Sequence, residues 1–277
     1  MNDDTFADIC SFVETDLGFA TSYYNDSYLD RRISSRIRRT DSASDDEYER
    51  LLRADEREQE ALLDTLSINV TGFFRNPDVW DGIAEVLRSL AREHDTVHVW
   101  SAACADGREP YSLSMLAHAD PAIDESSVYV LGTDISDSAL ETARSGQYEP
   151  SKTVDVREEL SYLDDYDEYV DVGGDDTVAI RRPVRENVTF ERHDLINDEP
   201  KSGFDLVICR NLFIYIDPAY KRPMLERLGA ALRPGGYLVI GKAETIPPSL
   251  KGAFPIHDGR LRIYRSDPTD HSKATPR

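Results

Sequence analysis

Val97-His98-Val99-Trp100-Ser101-Ala102-Ala103-Cys104-Ala105-Asp106-Gly107-Arg108-Glu109-Pro110-Tyr111-Ser112 is an apolar run that breaks into small residues and returns to order at a proline. A strand feeding a loop that feeds a helix is the arrangement at which open α/β sheets bind nucleotide-like ligands. The loop carries one glycine, Gly107, where a dinucleotide site has a G-x-G-x-x-G run whose glycines let backbone amides approach a pyrophosphate. That shortage argues against pyrophosphate and for S-adenosylmethionine, which has no phosphate and carries a sulfonium cation and an amino acid end.

From about Thr96 onward, strands alternate with helices, the pattern of a parallel sheet. Val97 to Ser101 reads as a strand, Pro110 to His118 as a helix, and Val128 to Thr133 as a second strand ending at Asp134. A helix from Ser136 to Ser145 closes at Gly146, and Val188 to Arg192 and Phe204 to Cys209 supply two more strands. Asp217-Pro218 caps a helix that stops at Arg233-Pro234-Gly235-Gly236, and Tyr237 to Ile240 is the fifth strand. Phe254 to Ile256 and Leu261 to Tyr264 read as a closing hairpin around Asp258-Gly259. This layout of five β-α units and a hairpin is that of Rossmann-like methyltransferases.

The first 90 residues read as helices, with starts at Thr5, at the Ser44/Glu47 pair and at Asn76-Pro77. The expected organisation is therefore a helical N-terminal domain over 1–75, a linking helix over 76–95 and an α/β domain over 96–266. Within the last, the rhythm lapses from Gln147 to Glu186, which reads as an insertion on the rim of the sheet. A polar tail, 267–277, follows.

With 277 residues and 40% hydrophobic content, the chain can bury a sizeable core. No run of about 18 apolar residues occurs and no leader pattern opens the sequence, so membrane insertion is not expected and the expected location is cytoplasmic. Three widely spaced cysteines, Cys10, Cys104 and Cys209, read as reduced thiols, with neither a disulfide framework nor a metal site. The net charge is −21, from 53 acidic and 32 basic residues, only six of them lysine. Such a surface suits high salt, where screening acts within about 3 Å at 1 M; an acidic face for a basic partner is the alternative.

Candidate binding residues gather at strand ends. Asp134 stands where a carboxylate can accept both ribose hydroxyls of a nucleoside, or can cap the helix after it. Glu109 can receive an ammonium group, or serve as a first-turn acid worth about 0.3–1 kcal/mol. In the linker Asn69-Val70-Thr71-Gly72-Phe73-Phe74-Arg75, the amide and hydroxyl offer neutral hydrogen bonds and Arg75 a fork that fits a carboxylate; a solvated arginine is the alternative. No Ser-His-Asp set is legible, since the six histidines are scattered. Near the start, Leu29, Ile33 and Ile37 form a stripe flanked by Arg31, Arg32, Arg36, Arg38 and Arg39. That cluster invites an anionic partner; nucleic acid and internal pairing with Asp45-Asp46-Glu47 are the alternatives.

VWSAACADGREPYS, the linker SINVTGFFRNP, GTDISDSALETARSGQY, and FDLVICRNLFIYID followed by LRPGGYLVIGKAE together resemble the CheR-type chemotaxis receptor methyltransferases. The resemblance implies an α/β fold: a Rossmann-like S-adenosylmethionine domain with a small all-α N-terminal domain and a small inserted β-subdomain. It also implies transfer of a methyl group to glutamate side chains on the cytoplasmic domains of methyl-accepting chemotaxis receptors, leaving S-adenosylhomocysteine. With the resemblance goes an expected origin in a halophilic archaeon. Carried across, the cofactor contacts are Asn69, Thr71, Arg75, Glu109, Asp134, Asp194, Leu195, Arg210, Asn211 and Leu212. No residue is needed as a general base, because a glutamate with a pKa of about 4.3 is ionised at pH 7. Arg210 is the first candidate to position the substrate, ahead of Arg88 and Arg92, and the five arginines near the start are candidates for receptor docking. A monomer without nucleic acid is expected. Arg108 and Asp194 depart from the family pattern of Glu and Asn. The competing readings are a methyltransferase for a small molecule or RNA and a non-catalytic binding module.

Overall fold

The computed structural model describes residues 1–67, 71–150, 155–174 and 176–266. Asn69 and the 267–277 tail lie outside the described residues. The chain divides into two compact units, Met1–Ile68 with Leu212–Arg222, and Asn69–Asn211 with Pro223–Arg277.

The first unit holds α1 (Asp3–Thr15), α2 (Asp26–Ile37), α3 (Asp45–Ala54) and α4 (Glu56–Leu66). A short polar side chain caps each: Asn2, Asn25, Ser44 and Asp55 accept from the amides of Asp4, Tyr28, Glu47 and Arg57. The start expected at Thr5 thus moves to Asn2, and the Thr5 hydroxyl instead donates to Asp46 Oδ1 at 2.9 Å. Apolar stripes from the four helices bury Ile9, Phe12, Val13, Leu29, Ile33, Leu52, Leu62 and Leu66. A later segment completes this unit. Tyr220 stacks on Tyr23 with ring centroids 4.0 Å apart, and Asn25 Nδ2 donates to the carbonyl of Tyr215 at 2.8 Å.

The second unit opens with α5 (Pro77–Glu93), then β1 (Val97–Ala102), α6 (Arg108–Ala119), β2 (Val128–Asp134) and α7 (Asp137–Ser145). The inserted stretch follows as β3 (Gln147–Tyr148), α8 (Val156–Leu160), β4 (Val170–Val172), β5 (Val178–Ile180) and α9 (Arg182–Glu186). The chain returns through β6 (Val188–Arg192) and β7 (Phe204–Cys209), and after α10 (Pro218–Ala231), whose residues through Arg222 count with the first unit, continues as β8 (Leu232–Ile240), β9 (Ile256–Asp258) and β10 (Ile263–Arg265).

Seven strands form one sheet in the order β6-β2-β1-β7-β8-β10-β9. The first five run parallel and the last two close it antiparallel. A separate antiparallel sheet, β3-β5-β4, forms within the 147–186 insertion. Continuous apolar runs make the central strands because helices cover both faces, and Val99, Leu206, Ile208 and Val239 are fully buried.

Three local expectations are corrected. The helix before the fifth strand ends at Ala231, earlier than Arg233-Pro234-Gly235-Gly236, and the strand already begins at Leu232. Gly236 permits this: a Cβ there would lie 2.9 Å from the carbonyl oxygen of Asp205 on the neighbouring strand. The closing hairpin lies about two residues later than expected, and Asn76 does not cap α5 with its side chain.

Candidate functional site

Strand β1 lies between β2 and β7, so the chain leaves it in opposite directions on its two sides. Ligand crevices open at that point, beyond the carboxyl ends of the strands. Here those ends present the 103–107 loop, Asp134 and Arg210.

Asp134 is buried with its carboxylate turned into the loop, where Oδ2 accepts from Ala105 N at 2.8 Å and Oδ1 from Ser136 N at 3.0 Å. Burial raises its pKa, opposed by the amides of Ser136, Ala105 and Ile135. The loop it holds is strained: Ala103 and Ala105 have φ of 56° and 50°, a left-handed conformation costing roughly 1–2 kcal/mol for each alanine. Gly107, with φ of 85°, needs glycine for a second reason. A Cβ there would lie 2.7 Å from that of Ala143 and 2.9 Å from the Phe190 ring.

Glu109, in the first turn of α6, is also buried. Its Oε1 accepts from the Ser101 hydroxyl at 2.8 Å, and its Oε2 faces Arg210 Nη1 at 3.2 Å. Arg210 is 2% exposed at its side chain, and its Nη2 donates to the Arg75 carbonyl at 2.6 Å and to Asn76 Oδ1 at 3.0 Å. Both terminal nitrogens of its guanidinium are thus engaged by protein groups, where the sequence reading expected it to hold the incoming substrate. Arg88, a lesser candidate, is paired with Asp120.

Thr71 and Arg75 are half-buried, while Phe73 and Phe74 are core residues. Asp194 follows β6 as expected, but its carboxylate closes its own turn by accepting from Ile196 N at 2.7 Å, Asn197 N at 3.1 Å and Asn197 Nδ2 at 2.9 Å. Leu195 beside it is half-buried. Asn211 takes a left-handed φ of 63°, and its amide donates to Glu244 Oε2 at 3.3 Å. Leu212 is buried and begins the segment belonging to the first unit.

Two groups went unassigned in the sequence. Glu244, buried after β8, also accepts from Gly241 N at 2.5 Å; its only signal was its place in GKAE. Asp106 lies inside the first loop; burial raises its pKa, opposed by Arg108.

The donor set fits S-adenosylmethionine. Glu109 and Asp134 are acceptor-only carboxylates with lone pairs beyond those their protein partners occupy, suited to an ammonium group and to ribose hydroxyls. Of the three carboxylates around the loop, Glu109 and Asp106 are paired with Arg210 and Arg108, while Asp134 is held by backbone amides and keeps the one negative charge without a paired cation among these groups.

In the first unit, Arg31, Arg38 and Arg39 are exposed on and just beyond α2, and Arg32 lies 5.3 Å from the Tyr28 ring centroid. Arg36 is paired internally, its Nε and Nη2 meeting the buried Glu58 at 2.8 and 2.5 Å. It is thus withdrawn from the expected docking set. The expected internal partners bond elsewhere: Asp45 accepts from Asn2 N, Asp46 from Thr5, and Glu47 from Ala43 N.

Fold and crevice together define an S-adenosylmethionine-dependent methyltransferase. Residues 69–263 match the CheR methyltransferase SAM-binding domain and residues 4–67 the CheR all-alpha domain. A chemotaxis protein methyltransferase of Listeria monocytogenes is 34% identical over 84% of this chain and 87% of its own length, and one of Pseudomonas aeruginosa is 33% identical over 68% and 70%. The solved glycopeptide N-methyltransferase MtfA overlays 60% of this chain and 59% of its own at 19% identity, with a TM-score of 0.34. This chain belongs to the CheR methyltransferase family.

Gly107→Ala is expected to destabilise the protein by about 2–4 kcal/mol, combining left-handed strain with overpacking. The readout is a lower urea midpoint at unchanged slope. A wild-type midpoint would mean that Ala143 and Phe190 yield without cost.

Proposed function

We propose that the enzyme methylates glutamate side chains on the cytoplasmic domains of chemotaxis receptors, acting in the cytoplasm as a monomer without nucleic acid. The observation that carries this is the match of both family domains, in order, over 4–67 and 69–263, with relatives named chemotaxis protein methyltransferases.

In this reading, Glu109 receives the ammonium of S-adenosylmethionine, Arg75 its carboxylate, and Asp134 the ribose hydroxyls. Asn69 and Thr71 add neutral hydrogen bonds, while Asp194, Leu195, Asn211 and Leu212 border the adenine. Arg210 acts through Glu109 and the carbonyl of Arg75. When bound, the cofactor supplies an electrophilic methyl carbon on a sulfonium. A glutamate oxygen bonds to that carbon as the carbon–sulfur bond breaks and its electron pair stays on sulfur, giving an ester and a thioether with no proton moved. Charge is annihilated in this displacement, so alignment and exclusion of water are what the protein contributes. The burial of Asp134, Glu109 and Arg210 supports such a role for them.

The reaction is tested with methyl-labelled cofactor and receptor-containing membranes. Base-labile label on the receptor, released as methanol, is the expected result. Label on RNA or a small molecule, or cofactor binding without transfer, would replace this function with another.

The site assignment is tested by calorimetry with S-adenosylhomocysteine. Asp134→Ala is expected to weaken binding roughly 30-fold and Arg75→Ala about tenfold, the loss of charge-assisted hydrogen bonds. Unchanged affinity in either would remove that residue from the site.

For docking, replacing Arg31, Arg38 and Arg39 together by alanine is expected to lower receptor methylation about tenfold at the lowest salt that keeps the protein folded, with cofactor affinity unchanged. Full receptor activity in this variant would place the docking surface elsewhere.

A further inference from the structure

Arginine is an unfavourable residue at the first position of a helix, whose N-terminus carries positive partial charge. Arg108 nevertheless begins α6, one residue before Glu109, and its side chain is only 13% exposed. Its guanidinium lies 3.3 Å from Asp106 Oδ2 in the first loop and 3.3 Å from Glu159 Oε2 in the inserted α8. Two aromatic rings close it in, with centroids 5.7 Å away for Phe73 and 5.1 Å for Tyr148.

The partners of Arg108 are themselves tied to the linker and the loop. Glu159 Oε2 accepts from Phe73 N at 3.0 Å, and Gly72 leaves room for that carboxylate, since a Cβ there would lie 2.5 Å from its Oε1. The Tyr148 hydroxyl donates to the Asp106 carbonyl at 2.9 Å. Ser112 Oγ accepts from Phe74 N at 3.1 Å and donates to the Arg108 carbonyl at 2.7 Å. Three stretches far apart in sequence, the 71–75 linker, the 103–107 loop and inserted helix α8, therefore meet at one guanidinium.

We propose that Arg108 is a positioning residue for the cofactor site, and that through Glu159 it makes the inserted subdomain part of what sets cofactor affinity. The inference rests on the reading above, in which this loop and linker hold S-adenosylmethionine. Physically, the loop keeps two alanines at positive φ, and such a conformation persists only where its surroundings over-determine it. Asp134 fixes the loop through Ala105 N, while Arg108 and Tyr148 fix it through the side chain and carbonyl of Asp106. Without the guanidinium, Asp106 and Glu159 are left as partly buried carboxylates lacking their shared cation, and both the loop and the linker lose a fixed point.

Arg108→Met keeps an apolar stem between the two rings and removes the charge, while Glu159→Gln acts from outside the first loop. Each is expected to raise the KM for S-adenosylmethionine and the Kd for S-adenosylhomocysteine about tenfold with kcat within about twofold, and the double variant should be no worse than either single one. Wild-type Kd in the single variants, or additive losses in the double, would overturn the inference while leaving the site reading intact. A lower melting temperature or kcat with unchanged KM would reduce Arg108 to a structural role and overturn it as well. If the wild-type protein fails to bind S-adenosylhomocysteine, the site reading falls, and this inference with it.

Discussion

The buried guanidinium of Arg210 is the constraint around which the crevice is arranged. It leaves the end of β7 and reaches the first turn of α6 through Glu109, the end of the linker through the Arg75 carbonyl, and the start of α5 through Asn76. A planar, permanently charged fork spreads its donors far enough apart to serve an acid, a carbonyl and an amide oxygen on three different elements, which the compact ammonium of lysine does less well. Removing one partner of such a buried pair costs roughly 3–5 kcal/mol, because the other charge is left without compensation. The arrangement also accounts for the missing cap of α5. With its side-chain oxygen accepting from Arg210, Asn76 sits at φ of 61° and makes no cap bond.

That correction shows where the sequence was legible and where it was not. The central strand Phe204–Cys209 announces itself as an apolar run and the edge strand Val188–Arg192 as an alternation of Val188 and Phe190 with polar residues; both stand at the expected residues because β periodicity is local. Asn76-Pro77 has the same local signature of a helix start, yet a charge 134 positions away engages the asparagine. Leu212–Arg222 was legible only as a strand-to-helix connection. Its place among the N-terminal helices depends on Tyr23 meeting Tyr220 and Asn25 meeting Tyr215, which no periodicity encodes.

The candidate site divides the same way. Strand-end positions put Asp134 and Arg210 in view, since ligand crevices of open α/β sheets lie beyond the carboxyl ends of the strands. Asp134, read in the sequence as a ribose ligand or a cap, makes backbone contacts that do not use up its oxygens. Its carboxylate holds the amides of Ser136 and Ala105, and each oxygen keeps a further lone pair. Asp194 accepts three bonds from its own turn, a local use of the carboxylate that its place after β6 did not announce. In the basic helix, a single buried acid, Glu58, takes Arg36 from the cluster and leaves Arg31, Arg38 and Arg39 outward. For a chain of net charge −21, three exposed arginines within nine positions are a local reversal of the field, and such reversals steer an anionic partner better than a uniform surface does.

The glycine-poor loop has a physical meaning beyond the absence of a phosphate. A glycine run reaches positive φ freely, but it is also free to leave it, so the bound geometry must be ordered each time a ligand arrives. Ala103 and Ala105 reach φ of 56° and 50° against a steric penalty and have fewer unfolded conformations to lose. Such a loop is rigid only if the surrounding contacts outweigh the strain. Asp134 on the inner side, and Arg108 with Tyr148 on the outer side, meet that condition. Alanine in place of glycine therefore demands more from the neighbours, and the inserted subdomain, through Glu159 and Tyr148, is one of those neighbours.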